Sequence, residues 1–196
     1  MQLRLLPFLI FACLLLIGCP SYSVHPLYSD QDAAVQPALE GTWVDAKSND
    51  REGITFQKTG DHEYSMTGID SATRVHQTYK VHLVRLGNQL FMDVMFDEQA
   101  VNGVKLDSPI GAFPTHVIVK VKISGDDLAY ATLEDDAIKK QSAPGGTPLD
   151  YQIADDGALL VTSQTEVLRR YVSDHTEDAF STFEHLKRKG NTTAKP

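Results

Sequence analysis

Cysteine is almost missing from this chain: 196 residues carry two, Cys13 and Cys19. Both lie close to the N-terminus, which excludes a disulfide framework within the folded part and a zinc site built from thiolates. Positive charge is also scarce. Lys and Arg number 18 against 26 Asp and Glu, giving a formal net charge of -8. Lys187, Arg188 and Lys189 form the sole basic cluster, too short to grip nucleic acid or an anionic lipid surface. Apolar runs long enough to cross a bilayer are missing too. The stretch from Leu5 to Ile17 falls short of the ~20 residues a spanning helix needs. Nor does the chain carry a Gly-x-Ser-x-Gly elbow, a phosphate-cradling glycine loop or a dinucleotide fingerprint.

What the N-terminus does hold is a secretory pattern. Arg4 precedes about a dozen mostly apolar residues that end at the small residue Gly18, the n-region, h-region and cleavage order of a signal peptide. Leu16-Ile17-Gly18-Cys19 resembles the lipobox of bacterial lipoproteins. The resemblance implies cleavage between Gly18 and Cys19, a diacylglycerol thioether on Cys19 and a further acyl chain, such as palmitate, on the new terminus. Two or three chains at ~0.8 kcal/mol per buried methylene anchor stably. Cys13 would leave with the leader, as would Arg4, taking the charge from -8 to -9. Pro20 stands where an Asp would resemble an inner-membrane retention signal, so the expected address is the cell envelope, with the outer membrane favoured.

The expected organisation is a signal peptide over 1–18, a lipidated cysteine with a flexible tether over 19–38, a β-rich domain over 39–189 and a polar tail over 190–196. The tether, with Pro20, Pro26 and Pro37, could reach roughly 60–70 Å if fully extended. Within it, Pro26-Leu27-Tyr28 is an apolar island that could dock on the domain. His25-Pro26-Leu27-Tyr28 and Pro37-Ala38-Leu39-Glu40-Gly41-Thr42-Trp43 resemble the start of a group of bacterial envelope lipoproteins, a likeness that brings no activity with it.

From Gly41 onward apolar residues alternate with polar ones and are broken by Gly/Asn/Asp turns, the mark of antiparallel strands. Tyr79, Val81 and Leu83 share one face and His76, Thr78, Lys80 and His82 the other. Leu90, Met92, Val94 and then Val117, Val119, Val121 repeat the pattern around Gly87-Asn88 and Gly125-Asp126-Asp127. The reading is mainly β: an antiparallel meander of about 8–9 strands forming a barrel or sandwich. Ser163 and Glu166 predict a capping box before a helix with the stripe Val167, Leu168, Tyr171 and Val172, followed by a last strand near Phe183 and Leu186. A short helical turn over 135–140 is a further expectation.

Gly41-Thr42-Trp43 on the first strand resembles the Gly-x-Trp motif of lipocalins, whose barrel also ends with a helix and a final strand. The resemblance implies a late basic residue packed on the tryptophan. Arg188 is the candidate, in a cation–π contact with Trp43.

Candidate chemistry is sparse. His62-Glu63-Tyr64-Ser65-Met66 lacks the second histidine of a zincin helix and sits beside a turn. His76 and His82 stand ~20 Å apart along a strand, too far to share an ion. Asp126-Asp127 and Asp155-Asp156 coincide with turns. Asp135/Lys139 and Asp136/Lys140 have helical pair spacing, and Asn191-Thr192-Thr193 reads as polar tail. No catalytic or metal-binding residue and no cofactor is expected.

Two loops remain: residues 141–148, and residues 97–114, where Ile110 and Phe113 are the candidates for contact with a ligand or partner. The preferred function is a membrane-tethered, non-enzymatic binding module for an apolar small molecule, with an apolar cavity of several hundred Å³. The alternative is an assembly lipoprotein acting through an envelope protein, with a filled core and an exposed apolar patch. An enzyme would need distant His, Asp or Glu residues converging in one cleft.

Overall fold

A computed structural model describes residues 21–29, 33–45, 52–70, 76–96, 114–141, 148–155 and 157–190. Two short strands come first, β1 (Tyr22–Ser23) and β2 (Ala33–Ala34), then a 3-10 turn over Pro37–Leu39. The meander follows: β3 (Gly41–Val44), β4 (Glu52–Lys58), β5 (Glu63–Asp70), β6 (His76–Leu86), β7 (Gln89–Phe96), β8 (His116–Ser124) and β9 (Asp127–Thr132). Helix α1 (Asp135–Gln141), β10 (Tyr151–Ile153), β11 (Leu159–Val161), helix α2 (Thr165–Asp174) and β12 (Glu184–Arg188) complete the chain.

The sheet closes. From β3 to β9 each strand pairs antiparallel with the next, and β12 returns to lie between β9 and β3, which makes an eight-stranded antiparallel barrel. Leu186 pairs with Leu128 on one side of β12, and Arg188 with Trp43 on the other. Closure leaves these strands no free edge along which to pair with another chain. The expected mainly β architecture, with a helix before the last strand, is what the protein has.

Alternation sorts the side chains. Val81 and Leu83, Leu90, Met92 and Val94, and Val119 and Val121 point into the barrel and pack with Leu39, Trp43 and Leu186. The outward residues of the same strands are apolar only where something covers them. Val84, Phe91, Ile118 and Ala131 form a second core with Ile138 of α1, Leu159 and Val161 of β11, and Leu168, Tyr171 and Val172 of α2. One flank of the barrel therefore carries an outer layer.

Two expectations need correction. Ser163 does not cap α2: the helix starts at Thr165 after Gln164, with no side-chain cap hydrogen bond. The Ser163 hydroxyl instead accepts the Asp150 N–H at 2.7 Å, tying β10 to the outer layer. The described residues of the stretch read as a flexible tether are packed. Strand β1 runs antiparallel to β8 and parallel to β11. Leu27 is fully buried in the outer core, its N–H donated to Asp93 Oδ2 at 2.6 Å. The Thr165 hydroxyl donates to the Pro26 carbonyl at 2.8 Å. The apolar island docks because Leu27 finds a pocket and its backbone finds partners, which removes most of the reach of an extended linker.

Replacing Leu27 with Ala should cost ~2–5 kcal/mol, the range for a buried leucine truncation, read as a lower midpoint in urea unfolding. A flexible tether would leave that midpoint unmoved.

Candidate functional site

The two ends of the barrel differ. At the end where β4 turns into β5 and β6 into β7, the interior is full. The 3-10 turn drops Leu39 inside, and Trp43, Tyr64, Leu83 and Leu90 pack with it in one buried cluster. The Trp43 indole N–H donates to the Leu39 carbonyl at 2.8 Å, and the Tyr64 hydroxyl accepts the Gln36 N–H at 3.0 Å.

Arg188 seals this end. Its guanidinium carbon lies 4.1 Å from the centre of the Trp43 ring, while its Nη1 and Nη2 donate to the carbonyls of Glu40 and Ala38, each at 2.6 Å. Gly41 is required here. Its φ is +116, and a Cβ would lie 2.8 Å from Arg188 Nη1, so a side chain would collide with the clamp in an already unfavourable backbone conformation. Thus the Gly-x-Trp residues and Arg188 meet as one structural unit at the filled end.

At the other end the barrel is hollow. A cavity of about 120 Å³ lies among Ile54, Phe56, Met66, Met92, Val94, Val117, Val119 and Leu128. Several of these sit within a few residues of where β5 and β7 finish and β4 and β8 begin, which places the space at that end. The polar atoms come from Thr115 and three phenols, Tyr22, Tyr79 and Tyr130. Burial, reinforced by the neighbouring Tyr22, pushes the Tyr79 phenol up to about 12. Burial, then the charges of Glu184 and Asp45, does the same for Tyr130, also to about 12. Those two phenols stay neutral through physiological pH, and the cavity wall carries no formal charge. The volume is smaller than the several hundred Å³ expected of a ligand-carrying barrel. It is close to the ~150 Å³ of an apolar cavity that takes up benzene.

Titratable residues do gather elsewhere, on the outer face of β5 to β8. The buried Asp93 carboxylate meets His116 Nδ1 at 2.6 Å with one oxygen and holds the Leu27 N–H with the other. Tyr28 stacks on His82 with ring centres 3.9 Å apart, and His82 Nε2 lies 3.8 Å from Glu63. The sequence carried each of these residues without a sign that they converge, since they come from four strands and the docked segment. Their arrangement is that of a packed seam: both Asp93 oxygens are occupied by protein donors, and Tyr28 covers His82. It holds the N-terminal segment down.

Gly18, Cys19, Ile110 and Phe113 lie outside the described residues. Among the described residues, no three His, Cys, Asp or Glu side chains could together hold a metal ion, and no helix is long and apolar enough to cross a membrane. Exposed large apolar side chains there are Val24, Val35 and Ile153, which sit on separate segments.

Replacing Arg188 with Ala removes the clamp and should lower stability by roughly 1–2 kcal/mol, mostly the lost cation–π and charged hydrogen bonds. Gly41→Ala should do similar damage with Arg188 present and less with it absent, a coupling that a double-mutant cycle measures. Burial of His82 holds its pKa below 6.5, against the opposing pull of Asp93 and Glu63. The unfolded chain therefore takes up this proton first as pH falls. The contribution of neutral His82 is complete above the ordinary histidine pKa and declines below it. His82→Gln should flatten that part of the stability loss as pH falls through 6.5, followed by urea midpoints. No protein-family model matches the chain, and comparison with curated proteins and with solved structures finds no match either.

Proposed function

We propose that this chain is an exported, lipid-anchored envelope protein whose barrel is a non-enzymatic binding module for a small apolar molecule. The observation that carries the reading is the asymmetry of the interior: one end filled by Trp43 and its neighbours, the other holding a cavity of about 120 Å³ with an apolar wall. A barrel built only for rigidity would fill both ends, because each empty volume of methyl size forfeits about 1 kcal/mol of packing. The lipocalin-like reading draws support from the closed eight-stranded ring and from Gly41, Trp43 and Arg188 acting together at the filled end. The anchor rests on Leu16-Ile17-Gly18-Cys19 and its apolar leader, and the outer membrane is the favoured address. The alternative of a protein partner gains little from the described residues, whose exposed large apolar side chains, Val24, Val35 and Ile153, lie on separate segments.

The ligand class that suits this cavity is uncharged, apolar and about the size of a single six-membered ring. Benzene at ten times its Kd should add about 1.4 kcal/mol to stability, a Tm rise of roughly 3–6 °C for a domain of this size. Val94→Phe or Val117→Leu, each placing extra carbon in the space, should abolish the rise. An equal rise in the filled variants would overturn the site, and no rise in the parent protein would overturn the reading. Cys19→Ser should release the protein from membranes into the aqueous phase on detergent partitioning.

A further inference from the structure

We infer that the barrel stands with its hollow end against the bilayer, so that the cavity exchanges its ligand with the membrane. This rests on the reading of Cys19 as the acylated anchor. It follows from where Ser21 and Tyr22 sit. Ser21 donates its N–H to the Leu133 carbonyl at 3.3 Å, immediately past the last residue of β9, and its hydroxyl to Asp135 at the start of α1 at 2.5 Å. Next to it, Tyr22 pairs with Val117, and both line the cavity. Tyr22, with Ser21 beside it, therefore forms part of the wall at the hollow end.

The leash is short. Two Cα steps separate Cys19 from Ser21, at most about 7.6 Å. Strand β7 alone is 8 residues long, roughly 26 Å of extended chain. An anchor held that close to one end keeps the filled end, with Arg188 and the turn at Gly60, away from the lipid surface. The described residues at the near end suit the contact, for Val24, two residues past Tyr22, is 42% exposed. Charge is no substitute for the anchor, because the net charge, -9 once Arg4 leaves with the leader, repels anionic headgroups. The surface recognised is thus the bilayer through its apolar phase, and zwitterionic lipid suffices. An apolar molecule dissolved in that phase reaches the barrel without crossing open water.

The test uses the full acylated chain in phosphatidylcholine vesicles that carry a nitroxide on the lipid headgroup. With Cys19 acylated, a single introduced thiol takes a fluorophore: Val24→Cys at the hollow end, Asp61→Cys at the filled end. Quenching should be at least threefold stronger for the first. Thr115→Cys and Lys58→Cys repeat the comparison should either of the first pair fail to fold. Equal quenching, or stronger quenching at the filled end, overturns the orientation. Benzene binding to the Cys19→Ser protein is measured in parallel, which separates the two failures. Stabilisation by benzene with equal quenching keeps the cavity and discards the orientation. Unequal quenching without stabilisation keeps the orientation and discards the cavity as a ligand site. A chain with Cys19 intact that is recovered without acyl groups and stays out of the vesicles discards the orientation together with the anchor.

Discussion

Ring closure by β12 is the constraint on which this molecule depends. Seven strands in a meander leave β9 and β3 as open edges, each with a row of unpaired backbone groups. The strand that seals them arrives more than fifty residues later, after two helices and two short strands, and is only 5 residues long. It must satisfy both neighbours at once, Tyr130 to Asp127 on one side and Trp43 and Val44 on the other. Arg188 makes the register unique. A slip by one residue would turn it to the other face of the strand, away from Trp43 and from the carbonyls of Ala38 and Glu40. The same side chain therefore closes the ring and fixes the 3-10 turn that fills one end.

That arrangement gives the barrel two ends of different character. Packing at the filled end is of the interior kind, with aromatic side chains hydrogen-bonded to backbone and little space left. At the hollow end the same strands present Val94, Val117 and Met92 to a void. The outer core on one flank stiffens β6 to β9 from behind, since Phe91 and Ile118 are held between barrel and helices. A cavity backed in this way keeps its shape when empty, which lowers the ordering cost of taking up a ligand.

The barrel was legible in the sequence because its strands obey period two and its turns carry Gly87-Asn88 and Gly125-Asp126. The outer layer was not, although it left a trace. Leu90-Phe91-Met92 and Val117-Ile118-Val119 are apolar on successive residues, the signature of strands buried on both faces. Alternation alone accounts for only one of those faces. Ser163 misled because a capping signature is local, whereas the hydroxyl was claimed by Asp150 across a hairpin. Pro26-Leu27-Tyr28 read correctly as an island able to dock, but the proline-rich stretch around it hid that β1 completes the wall beside β8. The Asp93–His116 seam had no sequence signal at all, since pairing residues 23 positions apart on neighbouring strands requires the register, and composition does not contain it. The interior cavity, at about 120 Å³, is smaller than the several hundred Å³ expected, because side-chain volume in a barrel depends on which large residues face one another.

The N-terminal segment has one more implication, for the order of assembly. Ser21 finds Asp135, Pro26 finds Thr165 and Leu27 finds Asp93, partners 114, 139 and 66 positions away. None of these surfaces exists until the meander and α2 have formed, so the segment from Ser21 to Leu27 cannot reach its final contacts before those elements are in place. Contacts of such long separation slow the search for the native arrangement. Until it ends, the backbone groups of β8 beside Val117 and the apolar hollow that receives Leu27 stand open. That interval is when a folding helper, or a second unfinished chain, would have something to hold.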